Sequence, residues 1–360
     1  MKIITIPERE IGDYTEDDFG GKRNNPTVCV VRYGAFGDVI QVSSILPLLK
    51  EQGYRVCVNV TERGYDILKS DPNVDELLVQ KSDQVSNDRL TEYWEGMSKY
   101  FDKFVQLSES VEKELLLVPD RLEFLNGEPV LIQANENYYK SKEEIHSLCN
   151  VNYMERTHDM AGVPHTFNPK FYPTKKEESW ASEVRRRIKT KHVVMWALSG
   201  SSVHKVYPWT DVVILTLLNS RKDVTFVTVG DDWCKILEAG WEKEKRIITK
   251  SGKWSIRETL AFLGKCNVVV GPETGVLNAA STLNCHKTVM LSHSSEENLS
   301  KHWKNTTTLE PSNYENFCFP CHKIHFGFKT CNRDKETGGA MCAVNIKPDT
   351  VVSDISRNLR

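Results

Sequence analysis

VCVVRYGAFGDVIQVSSILP, residues 28–47, is the stretch whose reading decides the fold. Four apolar residues in a row, Val28, Cys29, Val30 and Val31, predict a strand buried on both faces. A turn containing Gly34 and Gly37 follows, and a helix is expected to start near Asp38. A buried strand, a glycine turn and an amphipathic helix make the first unit of a parallel α/β sheet. Gly34 and Gly37 let the backbone come close to whatever lies above the strand end. Asp38 falls in the first helical turn, where an aspartate either caps the helix or meets a ligand at the carboxyl edge of the sheet.

Upstream, residues 1–27 are polar and carry Gly20-Gly21 and Asn24-Asn25-Pro26, so an extension with little structure is expected. Downstream, 38–52 reads as one helix capped by Gly53, and 55–60, 74–79 and 103–107 read as strands, with a helix over 88–100. This alternation predicts a parallel sheet with helices on both faces. Residues 109–170 are more polar and read as mostly helical, with 153–163 a helix ending at glycine. Pro164, Pro169 and Pro173 mark a linker that runs to Lys176. A second series follows: helix 180–189, strand 192–197, helix 209–220, strand 224–230, helix 256–265, strand 267–270, a helix opening at Val276, and strand 287–291. The expected fold class is α/β. One domain covers 28–172 and a second covers 173–345, facing each other across a cleft, with a terminal helix in 346–360.

The 360 residues suit two domains, and 39% hydrophobic with 27% charged residues describes a soluble globular protein. A net charge of −2 gives no overall pull toward nucleic acid or an anionic membrane. The opening MKIITIPERE lacks the apolar core of a secretory signal. No run of about 18 apolar residues is present to span a bilayer. The expectation is a cytoplasmic protein in a reducing compartment, where ten cysteines need not pair. Cys29, Cys57, Cys149, Cys234, Cys266 and Cys285 are expected as small core residues.

Other stretches bear on chemistry. The turn at Gly34–Asp38 is neither a dinucleotide fingerprint, since only G-x-x-G is present, nor a P-loop, since no G-K-[ST] follows. Ser199–Trp209 is a hydroxyl-rich loop with a lysine. Hydroxyls such as Ser201 and Ser202 and backbone N–H groups can hold a diphosphate whose charge Lys205 neutralises; the plainer reading is a solvated loop. Gly271–Val276 lies between a buried strand and a helix whose N-terminus suits phosphate. There Glu273 would repel phosphate but could bond a sugar hydroxyl, while Thr274 in the plainer reading simply caps the helix. Cys318-x2-Cys321-x9-Cys331-x10-Cys342 places four thiols in 25 residues, with His322 and His325 as substitutes. The first spacing suits a tetrahedral structural zinc; free thiols or a single disulfide are the alternatives.

Three motifs, in order, resemble the lipopolysaccharide heptosyltransferases of glycosyltransferase family nine. They are R-x-G-A-x-G-D-V at 32–39, S-x-x-x-K-x-Y-P at 201–208 and G-P-E-T-G at 271–275. The resemblance runs from about residue 28 to the end and includes Lys253–Ile256, the four C-terminal cysteines and Ile346-x-Pro348. It implies a GT-B fold of two Rossmann-like domains, the first binding mainly the acceptor and the second the nucleotide sugar. It also implies an inverting transfer that needs no metal. On that pattern Asp38 is the general base, Lys205 lies at the donor phosphates, and Thr274 and Gly275 form the helix end facing the diphosphate. Ser201, Ser202, Glu273 and Asn278 complete the donor set. The chemistry agrees. One base must take the acceptor proton, the diphosphate gains charge as it leaves, and no D-x-D pair in a strand-end loop argues for a metal.

Glu273 stands where the family usually has aspartate, Asn278 where many members have histidine, and Tyr207 where tryptophan is common. The expected activity is transfer of a heptose-like sugar or other hexose from a nucleoside diphosphate sugar, ADP-linked donors included. The acceptor is a hydroxyl of a lipopolysaccharide, other glycan or glycolipid, with contact to a membrane surface left open. No cofactor is expected for catalysis. The alternatives are a nucleotide-sugar epimerase or hydrolase, a transferase with a non-glycan acceptor such as nucleic acid, a binding module, and an NAD oxidoreductase.

Overall fold

The computed structural model describes residues 1–86, 89–108, 150–200, 202–312, 318–322 and 331–359, with 124, 125, 128, 129, 143, 146 and 147. The chain forms two compact units, Met1–Ile145 with Val151–Tyr172, and His146–Asn150 with Pro173–Arg360.

The first unit holds strands β1 Lys2–Thr5, β2 Thr27–Val31, β3 Arg55–Thr61, β4 Glu76–Gln80 and β5 Lys103–Gln106. They form one parallel sheet in the order β1-β4-β3-β2-β5. A two-residue antiparallel pair, β6 Phe124–Leu125 and β7 Glu128–Pro129, stands apart from it. Every residue of β2 is buried, as its unbroken apolar run predicts.

The first 27 residues depart from expectation. They supply the edge strand β1, and two short 3₁₀ turns carry Tyr14 and Phe19 into the core beside Cys29, Leu78, Tyr93 and Trp94. Arg23 then pairs with Glu76 at 2.6 Å, and Arg55 pairs with the same carboxylate at 2.9 Å. Burial alone would raise the Glu76 carboxyl, but the two guanidinium groups outweigh it and hold the acid below its usual range. The polar look of the segment hides a few apolar anchors, and burying Phe19 alone is worth about 1.5–3 kcal/mol.

The single helix expected over 38–52 is two helices, Phe36–Val42 and Leu46–Glu51. Pro47 sits in the first turn of the second, where its missing N–H does no harm but would have broken a continuous helix. Ser43 and Ser44 return their hydroxyls to the carbonyls of Ile40 and Gln41, which closes the first helix.

The second unit holds β8 His192–Ala197, β9 Val224–Val229, β10 Ile247–Thr249, β11 Val268–Pro272, β12 His286–Met290 and β13 Thr306–Leu309. All pair in parallel, in the order β10-β9-β8-β11-β12-β13. The edge strands β10 and β13 are short and were not legible as strands. The helix read over 180–189 begins earlier, spanning Lys175–Arg187, because Thr174 and Glu177 form a reciprocal capping box. Glu177 also pairs with Arg257 at 2.6 Å, which pulls its carboxyl down to about 2. The terminal helix Pro348–Asn358 is tied to β12 and β13 through Asp354, which accepts from His286, Thr288 and Thr307.

Among the described residues no helix is long and apolar enough to cross a membrane.

Candidate functional site

In an open parallel sheet the ligand crevice lies at the carboxyl ends of the strands, where neighbouring connections leave in opposite directions. The first sheet has that point between β2 and β5, and the second has it between β8 and β11. The residues marked by the sequence fall at these two places, each within its own unit.

In the first unit, Gly34 has φ 94°, a left-handed conformation that lets the chain turn sharply out of β2. The helix begins at Phe36 with Ala35 as its N-cap. Asp38 is therefore inside the first turn and does not cap the helix. Its Oδ1 lies 3.3 Å from the guanidinium of Arg32, and its side chain remains 29% exposed while that of Arg32 is 7% exposed. Arg32 is held by the carbonyl of Leu107 at 2.8 Å, and the Tyr33 N–H donates to Ser108 Oγ at 2.8 Å. The loop after β5 thus fixes the turn after β2. Gly37 is buried in the helix. The arrangement is a carboxylate oriented by a buried arginine and still open on one side, suited to accepting a proton.

In the second unit, Val203–Lys205 form a 3₁₀ turn after β8, with the Lys205 N–H donating to the Ser202 carbonyl at 2.9 Å. Ser201 lies outside the described residues, as do Cys149 and His325. Gly200 is needed for close approach. A Cβ there would fall 2.6 Å from Lys205 Cδ and 3.3 Å from Thr274 Cγ2, so Lys205 lies over the loop and beside the next strand's end. A Cβ on Gly271 would fall 2.9 Å from Ala197, so glycine there lets β11 close against β8. Thr274 caps the helix Gly275–Ala280, accepting from the Leu277 N–H, which places Gly275 at the first position of its N-terminus. On the next turn the Asn278 Oδ1 is buried without a hydrogen-bond partner among the described residues. Tyr207 and Trp209 serve the scaffold: Tyr207 donates to the Ile346 carbonyl at 2.9 Å and Trp209 to that of Val344 at 3.0 Å.

Glu273, expected to bond a sugar hydroxyl, has its side chain directed into the loop after β12. It is buried, and its Oε1 accepts from the consecutive backbone N–H groups of Ser292, His293 and Ser294. Its Oε2 meets His293 Nδ1. Burial would raise this carboxyl, but His293, Lys205 and the backbone donors prevail and keep it ionised, well below the usual range. The His293 ring in turn packs edge-on against His204, with centroids 5.4 Å apart. The glutamate side chain has the length to reach the loop after β12. No pattern in the sequence joins positions 204, 273 and 293, so His204 and His293 were missed.

The C-terminal cysteines are reduced: Cys318 exposed, Cys331 partly so, Cys321 and Cys342 buried. Burial, and then the neighbouring Cys331 and Cys318, push the Cys342 thiol up to about 12. Among the described residues no group of three or more His, Cys, Asp or Glu side chains is placed to hold a metal ion.

No protein-family model matches the chain, and no curated protein matches it. Solved structures do. A glycosyl transferase of family 9 from Veillonella parvula superposes with a TM-score of 0.63 at 12% identity, covering 93% of this chain and 97% of that one. The chain has the glycosyltransferase fold. The E. coli ADP-heptose lipopolysaccharide heptosyltransferase II gives 0.61 at 13% identity, covering 92% of this chain and 98% of that one. The iron-containing heptosyltransferase TibC, from enterotoxigenic E. coli, gives 0.56 at 13% identity, covering 93% and 76%. The α/β, GT-B-type fold implied by the three motifs is therefore the fold observed, and the likeness to heptosyltransferases extends over nearly the whole chain.

Proposed function

We propose that the protein is an inverting glycosyltransferase that moves a sugar from a nucleoside diphosphate to a hydroxyl acceptor. The observation that carries this is the meeting of Lys205 and the Thr274–Gly275 helix end at the turning point of the second sheet. A cation and free N–H groups at that point suit a diphosphate leaving group, and they stabilise charge that grows in the transition state. The buried Oδ1 of Asn278 is an acceptor that a hydroxyl of the donor could satisfy. In the first unit Asp38 would take the acceptor proton, with Arg32 orienting it. The likeness to ADP-heptose enzymes supports an ADP-linked donor and a glycan or glycolipid acceptor.

The thiols Cys318, Cys321, Cys331 and Cys342 are proposed to hold one structural metal. Support comes from the closeness of Cys318 and Cys331 to Cys342, and from TibC being iron-containing. The four do not form a ligand set as they stand, so this assignment rests on metal analysis of the purified protein. Less than about a tenth of an equivalent of zinc or iron in unchelated preparations rejects it.

The test of function is a thermal-shift series with ADP, UDP, GDP, CDP and NAD, with and without magnesium. A folded-state ligand raises the midpoint with concentration. A shift with one nucleoside diphosphate that does not depend on magnesium is the expected result. A shift with NAD alone overturns the reading.

A further inference from the structure

Glu273 presents an arrangement that a ligand-contacting acid does not need. Three consecutive backbone N–H groups, those of Ser292, His293 and Ser294, converge on one of its oxygens. Such a concave run of N–H donors is an anion nest, and here the anion is the chain's own carboxylate. The second oxygen meets His293 Nδ1, and the side chain of Glu273 is only 3% exposed. One oxygen is therefore committed to the loop backbone, the other lies against the His293 ring, and little of the carboxylate faces solvent. A donor sugar would have to displace a buried, charge-assisted set of hydrogen bonds to reach it. From His293 the packing continues. Its ring lies edge-on to His204, and its carbonyl accepts from the His322 N–H at 2.8 Å. His204 directly precedes Lys205 in the same 3₁₀ turn.

We propose that Glu273, His293 and His204 form a buried array that positions Lys205, with Glu273 acting on the donor through this array and not by touching the sugar. The inference rests on the donor-site reading above and specifies how that site is held. The loop after β12 is clamped by Glu273, and the His293 ring on that loop packs edge-on against His204. Gly200 and Thr274, next to Glu273, also crowd the Lys205 stem. All these groups lie at the carboxyl ends of β8, β11 and β12, so the array spans the three strand ends that border the diphosphate position. Glu273, His293 and His204 are thus positioning residues.

The array and a sugar contact predict opposite results at position 273. Glu273→Gln keeps the length and an oxygen for the three N–H donors, so it leaves the loop in place. Glu273→Asp keeps the charge but is one methylene short of the nest. If Glu273 touches the sugar, aspartate is the mild change and glutamine the damaging one.

The experiment is amide hydrogen exchange over 202–206 and 292–294 in the ligand-free full chain, with ADP titrated calorimetrically into the same samples. In Glu273→Asp we expect at least about ten-fold faster exchange in both segments, and in Glu273→Gln less than about three-fold. ADP affinity should follow the same order, with Glu273→Asp weaker by about ten-fold. His293→Asn, which keeps a donor to Glu273 but loses the ring against His204, should free 202–206 while leaving 292–294 protected. Unchanged exchange over 202–206 in both Glu273→Asp and His293→Asn overturns the array. So does an affinity lost in Glu273→Gln and kept in Glu273→Asp. Wild-type protein that binds neither ADP nor any other nucleoside diphosphate, with the exchange pattern as expected, overturns the donor site instead and leaves the array as scaffold.

Discussion

Asp38 and Glu273 stand at matching places in their own sheets, each at the carboxyl end where the strand order turns, and their surroundings could hardly differ more. Among the described residues Asp38 pairs with the guanidinium of Arg32 alone, and it keeps 29% of its side chain exposed. Glu273 has three backbone donors and an imidazole, and keeps 3%. A carboxylate enclosed by donors and shut off from solvent is poorly placed to take a substrate proton; one held from a single side and open on the other is better placed. The contrast supports the proposal that the first unit's acid serves the chemistry and the second unit's acid the architecture. The first unit repeats it internally, since Glu76, gripped by Arg23 and Arg55, is another acid spent on the scaffold.

The strongest way to break the contrast is Asp38→Asn. Turnover should fall by about 10²–10⁴-fold, the share a positioned base supplies, with ADP affinity unchanged in calorimetry. Wild-type turnover in that variant would remove Asp38 as base and leave the comparison without its reactive half. Next in size is Arg23→Ala, which strips one partner from the buried Glu76. Breaking a buried pair while Arg55 remains should cost about 3 kcal/mol in urea unfolding of the first unit. A loss below about 1 kcal/mol, no more than an exposed pair contributes, would mean that the N-terminal segment is not held as argued.

Lys205→Ala should weaken ADP binding by about ten- to a hundred-fold, matching the loss of about 1.5–3 kcal/mol for a bond to a charged group. An unaltered dissociation constant would sink its assignment.

The smallest effect concerns acid stability in the second unit. Burial would raise the Asp354 carboxyl, but hydrogen bonds from His286, Thr288 and Thr307 hold it below its ordinary value. A depressed folded value means that its contribution is complete above the unfolded carboxyl's pKa of about 4 and fades as pH falls through the folded value. Melting temperature followed downward from about pH 5 should therefore drop less steeply in Asp354→Asn than in wild type. Equal slopes would place acid sensitivity elsewhere, with Glu177 as the next candidate.

Much of the scaffold could be read from short signals. The apolar run of Val28–Val31, the strand His192–Ala197 and the helix stop at Gly162 were legible because hydrophobic period and glycine conformation are local properties. Residues 1–27 were not, because β1 becomes a strand only by pairing with Glu76–Gln80, far along the chain. The edge strands β10 and β13 escaped for the same reason. At the site, Gly34, Asp38, Lys205 and Thr274 could be marked because glycine turns and helix starts leave a sequence trace. Glu273 was marked, but its enclosure by the 292–294 backbone was not legible, since a side chain's direction depends on donors nineteen to twenty-one residues away.

The sequence by itself determined where strands end and helices begin, and hence which residues reach the carboxyl edges of the two sheets. Backbone pattern, turn glycines and helix N-termini act over a few residues, so the chain carries that information locally. Only the tertiary structure decided what each of those residues meets there. Whether an acid is open or saturated depends on which strand neighbours it, and β11 lies between β8 and β12 only after the sheet has assembled. Asp38 was left with one arginine and Glu273 was enclosed by a loop and a histidine. The roles proposed for the two acids rest on that difference in donors, and not on their identity.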